Sequence, residues 1–233
     1  MNKDRPYTTL FLLTSVDGKI STGDTDEMDT DRDYKLIDGV KDGNKQYYDL
    51  ERQTDLCSLN SGRVFEKIGI NDKTDEPEKT PISFVVIDNK PHLNKNGVIY
   101  LAKKGKALYI VTTNSQHPAF ELKKDFSNIE ILKYEDKINL ANALVRLKED
   151  YGVERITIQT GGTMNTSWIR EGLIDRLLLV VAPAMVGGKD TPTLMDGESL
   201  HSVDELSKIK ALELVQARLL EDSYLLLEYN VKN

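Results

Sequence analysis

The segment spanning residues 155–189 constrains the fold most, because two strand patterns flank a helix within it. Ile156 and Ile158 alternate with polar residues, which predicts a β-strand. The continuous apolar run 177–182 predicts a second strand that is buried on both faces. A strand, a helix and a second buried strand in succession are typical of a parallel α/β sheet.

Two glycine pairs mark the ends of these strands. Gly161 and Gly162 allow a close backbone approach, and Thr163 is predicted to cap the helix that ends near Gly172. Free N–H groups at a helix start form a site for phosphate or pyrophosphate, although tight packing alone would also require glycine there. A second pair, at residues 187–188, follows the next strand. Two glycine breaks at the ends of neighbouring strands favour a ligand crevice.

The N-terminal strand, predicted over Tyr7–Thr14, ends in a turn with an Asp-Gly pair. Asp17 and Lys19 then place an acid and a cation at the carboxyl end of this strand, next to Ser15. We regard Asp17 and Lys19 as candidate catalytic residues, with Asp17 as the best-placed carboxylate for proton donation. A plain turn is the alternative interpretation.

A third strand–glycine–helix junction follows the strand predicted at residues 56–59. It consists of Asn60, Ser61, Gly62 and Arg63. Arg63 stands close to the predicted helix start, where its planar guanidinium suits a phosphate, although most such arginines are simply exposed.

The remaining patterns predict one α/β domain over residues 1–233, with a mostly parallel central sheet flanked by helices. Further strands are predicted at 82–88, 98–101, 107–112 and 129–132, and an amphipathic helix at 140–151. Thr112 and Thr113 are polar residues at a strand end. Two late segments, 212–220 and 224–231, predict an antiparallel C-terminal hairpin.

Composition excludes several classes of function. The net charge of −7 argues against a nucleic-acid partner or an anionic membrane surface. One cysteine and three widely spaced histidines give neither a disulfide nor a zinc pattern, and the acidic stretch 21–43 lacks the spacing of an EF-hand. These patterns lead us to expect no metal. The apolar stretch 8–16 is too short to span a bilayer, so we expect a cytoplasmic protein.

Four short motifs in this order and spacing resemble the RibD C-terminal (riboflavin-biosynthesis reductase) family. They are Gln159-Thr-Gly-Gly-Thr-Met-Asn165, Arg170-Glu-Gly-Leu-Ile-Asp175, Ala182-Pro183 and Gly187-Gly188. The resemblance implies a dihydrofolate-reductase-like fold with NADPH along the carboxyl ends of the strands. It implies hydride transfer to ribose C1 of the opened, imine-like form of 5-amino-6-(5-phosphoribosylamino)uracil. It also implies a homodimer.

The residue patterns and the resemblance together assign roles residue by residue. The candidate cofactor-binding residues are Ser61, Gly62, Arg63, Asn89, Thr112, Thr113, Gly161, Gly162, Thr163 and Met164. The implied substrate-binding residues are Ser15, Asp17, Lys19 and Gln159. We expect NADPH to be preferred over NADH, with Arg63, Lys90 or His92 near the 2′-phosphate. Valine in place of Gly161 or Gly162 is expected to abolish NADPH binding in a protein that still folds.

Three departures from the family pattern lie mainly on the substrate side. The family's Gly-x-Gly-Thr is here Asn60-Ser61-Gly62-Arg63, its acidic Asp-Asp-Pro segment is replaced by Ile70-Asn71-Asp72, and its glutamate before the glycines is Gln159. Two alternatives therefore stay open. The chain could reduce another small heterocycle, such as a pterin, or bind the nucleotide without catalysis. No Cys-x-x-Cys motif is present, so we expect no zinc deaminase.

Overall fold

The computed structural model describes residues 4–233. The strands, in chain order, are β1 (Tyr7–Thr14), β2 (Cys57–Ser61), β3 (Ser83–Ile87), β4 (Leu108–Thr112), β5 (Ile129–Lys133), β6 (Arg155–Ile158), β7 (Arg176–Val181), β8 (Ala211–Leu219) and β9 (Leu225–Lys232). The α-helices are α1 (Thr30–Asp33), α2 (Asn44–Glu51), α3 (Gly62–Lys67), α4 (Lys95–Lys104), α5 (Ala119–Leu122), α6 (Leu140–Glu149) and α7 (Gly162–Arg170).

The chain divides into two compact units. The first unit contains residues 4–7 and Asp55–Thr160, and the second contains Thr8–Thr54 and Gly161–Asn233. A single domain over residues 1–233 stays a prediction. No helix within residues 4–233 is long and apolar enough to cross a membrane, and the cytoplasmic location also stays a prediction.

The first unit contains five parallel strands in the order β5-β4-β3-β2-β6. Its main core cluster packs β3 and β4 against α3, α4 and α5. The largest fully buried side chains there include Leu93, Leu101, Leu108, Ile110 and Ile129. Buried strands of this kind explain why their sequences are almost continuously apolar.

One element of the first unit was predicted wrongly. Residues 98–101 were expected to form a strand, but they lie inside α4. The Asn94 side chain caps this helix by accepting a hydrogen bond from Gly97 N–H, and Val98, Leu101 and Ala102 bury one helical face. Val98 and its neighbours Ile99 and Tyr100 favour strands by intrinsic propensity, and tertiary burial overrides that preference.

The second unit contains the strand order β1-β7-β9-β8. β1 and β7 are parallel, whereas β9 is antiparallel to both β7 and β8. A turn at Glu221–Ser223 joins β8 to β9, with Asp222 and Ser223 at positive φ. The predicted α/β class, with mainly parallel strands and an antiparallel C-terminal hairpin, is therefore confirmed.

Aromatic side chains fill the core of the second unit. Phe11 of β1 stacks on Tyr47 of α2 with ring centroids 4.9 Å apart, and the fully buried Tyr224 donates to the carbonyl of Lys41 at 2.9 Å.

The acidic stretch 21–43 folds around local caps, since Asp29 accepts from Asp31 N–H and Asp33 accepts from Asp29 N–H. These carboxylates therefore have structural partners.

Candidate functional site

The topology of the first unit defines where a ligand would bind. From β2 the sheet runs through β3, β4 and β5 on one side, while β6 pairs with β2 on the other. Such a reversal of strand order opens a crevice at the carboxyl ends of the two strands concerned. Ser61 ends β2, and Gln159 directly follows β6. Two residues that the sequence predicted for the site therefore stand at the reversal point.

The junction after β2 is built around Ser61 and Gly62. Ser61 Oγ caps α3 by accepting a hydrogen bond from Val64 N–H at 3.3 Å. Gly62 is buried, and a Cβ there would overlap the carboxyl group of Asp88. Arg63 lies exposed in the first turn of α3. The close approach of the Asp88 side chain therefore explains why residue 62 has to be a glycine.

Asn89 and Thr113 meet at the ends of β3 and β4. Asn89 Oδ1 accepts hydrogen bonds from Thr113 N–H at 3.0 Å and from Thr113 Oγ1 at 3.3 Å. Thr112, by contrast, is fully buried, and its hydroxyl donates to the carbonyl of Asp88 at 2.6 Å. Its side chain therefore holds the strand end together, and the predicted cofactor contacts of Thr112, Thr113 and Asn89 stay predictions.

A buried pair that the sequence did not predict as part of a site lies behind these residues. Asp88 follows β3 directly, and its Oδ2 atom lies 3.1 Å from Nε2 of His117. Both side chains are completely inaccessible to solvent. The available signal was an acidic residue directly after a buried strand, but no pattern linked it to a histidine 29 positions away.

Gln159 stays anchored to β2. Its N–H donates to the carbonyl of Leu59 at 2.9 Å, and its Oε1 accepts from Ser58 Oγ at 3.4 Å. The side chain therefore contacts β2 at Ser58, while the Gln159 backbone directly follows β6. Its predicted contact with substrate stays a prediction.

The segment that replaces the family's acidic motif supports the loop between β3 and α4. Asn71 Nδ2 donates to the carbonyl of His92 at 2.7 Å, and Asn71 Oδ1 accepts from Asn94 N–H at 3.0 Å. Residues 71–77 also line a cavity of about 530 Å³ together with Asn96, Ile99, Tyr100 and Lys103. None of the predicted site residues lines this cavity.

In the second unit, the turn after β1 has the predicted form. Gly18 adopts a positive φ of 78°, which favours glycine. Ser15 Oγ donates to Asp17 Oδ1 at 2.6 Å and accepts from Lys19 N–H at 2.9 Å. The three predicted residues Ser15, Asp17 and Lys19 are therefore joined in one hydrogen-bonded turn.

Asp17 is held as an anion. Its carboxylate accepts from Ser15 Oγ and from the N–H groups of Val186 and Gly187, at 3.1 and 2.6 Å for the latter two. These hydrogen bonds, chiefly those from Ser15 and then Val186, lower the pKa of Asp17 to about 2. The lowered pKa keeps this carboxylate ionised at neutral pH, which disfavours proton donation, and the expected role of Asp17 as a proton donor stays a prediction. Its role in binding or charge stabilisation stays a prediction.

Lys19 is buried and binds the loop after β7. Its Nζ donates to the carbonyls of Gly188 at 2.6 Å and Thr191 at 2.9 Å. The two glycines of the second pair have positive φ, and a Cβ at Gly188 would overlap Thr191 Oγ1. The second glycine pair therefore shapes the loop that receives the lysine.

The start of α7 differs from the sequence-based expectation. Gly161 is the N-cap, with no side chain to receive a helix N–H, and Thr163 lies exposed within the first turn. The prediction that Thr163 caps the helix is therefore wrong, because extended backbone at Gly161 already begins it. Met164 N–H donates to the carbonyl of Gly161 at 3.0 Å. A glycine cap places no side-chain acceptor on the N–H groups of the helix start.

The two glycines at this helix start have different surroundings. Apart from its chain neighbours, no heavy atom of residues 4–233 lies within 4 Å of a Cβ placed on Gly161. A Cβ on Gly162 would overlap the carbonyl oxygen of Thr193 and the carboxylate of Asp196. Valine at Gly162 is therefore expected to destabilise the protein, since Thr193 and Asp196 are hydrogen-bonded to each other, and the expectation that this variant still folds stays a prediction.

A segment around Leu194 connects the start of α7 to the turn after β1. The Leu194 carbonyl accepts from Asn165 Nδ2 at 2.9 Å, and Leu194 N–H donates to the carbonyl of Gly18 at 2.9 Å. Lys19 and Thr193 also form an isolated antiparallel bridge. The second unit thus holds the Ser15–Lys19 turn and the glycine-capped helix in a fixed arrangement.

The low pKa of Asp17 gives a prediction about pH. The folded-state pKa lies below the ordinary value of 3.8 for an aspartate, so the ionised carboxylate stabilises the fold at pH values above about 4. This contribution is lost as the pH falls from about 4 to about 2. We expect Asp17→Asn to lower the free energy of unfolding at about pH 6, with the difference from the unaltered protein vanishing near pH 2. Urea unfolding across this range measures it, and a pH-independent difference would contradict it.

Comparison with known proteins agrees with this architecture. The family described as the RibD C-terminal domain matches residues 6–226. A 2,5-diamino-6-ribosylamino-4(3H)-pyrimidinone 5′-phosphate reductase from Methanothermobacter thermautotrophicus is 25% identical over 232 residues, covering 98% of this chain and 99% of the relative. The enzyme of the same name from Archaeoglobus fulgidus is 24% identical and covers 89% and 94%.

Solved structures share the fold. RibD from Acinetobacter baumannii superposes with a TM-score of 0.71 at 15% identity, over 100% of this chain and 59% of that one. The chain therefore spans about three fifths of that protein. A pyrimidine reductase-like protein from Corynebacterium diphtheriae superposes with a TM-score of 0.67 at 14% identity, over 98% and 92%. Because the matched family covers almost all of the sequence, the chain belongs to the RibD C-terminal domain family.

Proposed function

We propose that the chain is an NADPH-dependent reductase that acts on ribose C1 of a phosphoribosylamino-pyrimidine of riboflavin biosynthesis. The observation that carries the proposal is the match to two archaeal pyrimidinone phosphate reductases along nearly their whole length. The structure supports it with strand ends that carry hydrogen-bonding groups and a helix start capped only by glycine.

The residues at the start of α7 fit a dinucleotide. The N-cap Gly161 offers backbone without an intervening Cβ, and a helix N-terminus attracts phosphate charge. In the first unit, Asn89 and Thr113 supply polar groups at the strand ends. When bound, the reduced nicotinamide supplies the hydride, so the protein has to bind, orient and exclude water.

The turn of Ser15, Asp17 and Lys19 is proposed to hold the substrate. Lys19 carries the only positive charge of the turn, and Asp17 remains an anion at neutral pH. A cation held by two carbonyls is rigid, which favours a fixed contact with the ribose phosphate. Gln159 offers an acceptor and a donor to the pyrimidine where a glutamate would offer acceptors alone.

We propose a preference for NADPH over NADH. Three residues of the first unit carry this proposal. Arg63 lies in α3, and Lys90 and His92 lie in the loop between β3 and α4. His92 Nδ1 lies 2.8 Å from Glu66 Oε2. The positive charges of Arg63 and Lys90 would attract the extra 2′-phosphate, whereas His92 already has Glu66 as a partner. Fluorescence titration with both nucleotides measures the preference, and equal affinities would contradict it.

Absorbance of the reduced nicotinamide tests the proposal directly. The purified chain is mixed with NADPH and, in turn, the diaminopyrimidinone phosphate, the corresponding aminouracil phosphate and a dihydropterin. Turnover with a phosphoribosylamino-pyrimidine alone is the expected result. Turnover only with the pterin would replace the proposed substrate, and tight NADPH binding without any turnover would identify a non-catalytic nucleotide-binding protein.

We also propose that the chain forms a homodimer through β8. All nine residues of this edge strand are exposed, including Leu212, Leu214, Val215 and Leu219, which is 72% exposed. Long apolar edge strands invite pairing unless another chain covers them. Light scattering after size exclusion is expected to give twice the chain mass, and Leu214→Lys with Leu219→Lys is expected to give monomers. A monomeric unaltered chain would contradict the proposal.

A further inference from the structure

Asp88 connects the strand ends of the first unit to the loop between β3 and α4. It is 1% exposed, and its two carboxyl oxygens accept the N–H groups of His92 at 3.1 Å and Leu93 at 3.0 Å. These two bonds turn the chain sharply after β3. They fix the path of the loop that begins with Asn89.

His117 supplies a third donor to the same carboxyl group. Ala119 N–H donates to His117 Nδ1 at 3.2 Å, so Nδ1 is an acceptor and the ring proton lies on Nε2. Nε2 then donates to Asp88 Oδ2 at 3.1 Å. A carboxylate has enough lone pairs for all three donors, whereas an amide has only one acceptor oxygen.

The proposed cofactor residues of the first unit surround this pair. Gly62 packs against the Asp88 carboxyl group, and the Thr112 hydroxyl donates to the Asp88 carbonyl at 2.6 Å. Asn89, the next residue in the chain, receives Thr113 N–H at 3.0 Å. Displacement of Asp88 would therefore shift the helix start, the loop and the strand end together.

We propose that Asp88, held by His117, is a positioning residue that preorganises the strand ends of the first unit for the nucleotide cofactor. The inference rests on the reductase function proposed above. The Asp88 side chain is inaccessible to solvent and cannot bind a ligand directly, so it acts through Asn89, Thr113 and Gly62. Fixing a loop in its bound conformation raises affinity because the loop loses less conformational entropy on binding.

Asp88→Asn tests the inference, with Asp55→Asn as the matched control. Asp55 lies before β2 in the same unit, its side chain is 8% exposed, and it accepts from Thr157 Oγ1 at 3.0 Å and Arg155 Nε at 2.8 Å. Both variants exchange a hydrogen-bonded carboxylate for an amide, but only Asp88 stands at the carboxyl ends of the strands.

We expect Asp88→Asn to raise the NADPH dissociation constant about tenfold, measured by fluorescence titration, with kcat at saturating NADPH within about twofold of normal. Asp55→Asn is expected to lose stability while its dissociation constant changes less than about twofold. A general loss of structure would lower kcat and would affect both variants alike. A raised NADPH dissociation constant at nearly normal kcat, in Asp88→Asn alone, therefore separates positioning from stability.

A second pair of variants keeps the test informative if Asp88→Asn does not fold. His117→Gln retains an N–H for Asp88, whereas His117→Leu removes it. We expect the dissociation constant to rise about fivefold in His117→Leu and to stay within about twofold in His117→Gln. If Asp88→Asn and His117→Leu bound NADPH as tightly as Asp55→Asn does, this inference would be overturned while the proposed function would stand. Absence of NADPH binding by the unaltered chain would overturn the proposed function together with it.

Discussion

Replacement of Gly161 by valine is expected to raise the NADPH dissociation constant about a hundredfold, close to 2.7 kcal/mol, while the midpoint of unfolding stays nearly unchanged. The N-cap has a φ of −75°, which any residue adopts, and a Cβ there meets no other heavy atom of residues 4–233 within 4 Å apart from its chain neighbours. The added side chain would therefore project into the space proposed for the pyrophosphate. Equilibrium titration and thermal unfolding of the same preparation measure both quantities.

Gly162→Val is the matched control for this prediction. Its side chain would collide with the Thr193 carbonyl and the Asp196 carboxylate, so we expect a loss of roughly 1–3 kcal/mol in the free energy of unfolding. The two neighbouring glycines thus separate a ligand effect from a packing effect. Normal NADPH affinity in a folded Gly161→Val variant would contradict the placement of the cofactor at this helix start.

Lys19→Met is expected to lower kcat/KM for the phosphoribosylamino-pyrimidine about a thousandfold, with the NADPH dissociation constant within about threefold of normal. The methionine keeps the length of the side chain but removes the charge proposed to bind the ribose phosphate. It also leaves the carbonyls of Gly188 and Thr191 without their donor, at a cost of about 1–3 kcal/mol in stability. Steady-state kinetics and NADPH titration separate the two effects.

Arg170→Met controls for the structural part of this change. Arg170 belongs to the same unit and donates to the carbonyl of Glu198 at 2.8 Å. Its loss is expected to cost about 1 kcal/mol of stability without a comparable loss of turnover. If Lys19→Met turned over substrate as fast as Arg170→Met, the proposed role of Lys19 in substrate binding would be wrong.

Local sequence patterns predicted most of the secondary structure. β1 was predicted with its observed bounds, Tyr7–Thr14, because an apolar run followed by Asp-Gly leaves few alternatives. The C-terminal hairpin was also predicted, although its strands differ by a residue at the ends. α4 was missed because Val98 and its neighbours favour strands, and only burial against the sheet makes that segment helical.

Apart from the helix cap expected at Thr163, the surroundings missed at the candidate site involve contacts distant in sequence. The space around Gly162 is set by Thr193 and Asp196, about thirty residues later, so local sequence could not distinguish it from Gly161. Asp88 and His117 are 29 residues apart. Asp17 accepts from the nearby Ser15, but its other partners Val186 and Gly187 come from the far end of the chain. Glycine breaks and strand ends were visible in sequence, whereas the partners of each side chain were not.

Isotope transfer tests the central claim most directly. The chain is incubated with NADPH deuterated at nicotinamide C4, in separate reactions for the two faces of the ring, together with a phosphoribosylamino-pyrimidine. Mass spectrometry and NMR of the product are expected to locate one deuterium at C1 of a ribitylamino side chain in one of the two reactions. Product without deuterium in both reactions, or no product while NADPH remains bound, would contradict the proposed hydride transfer.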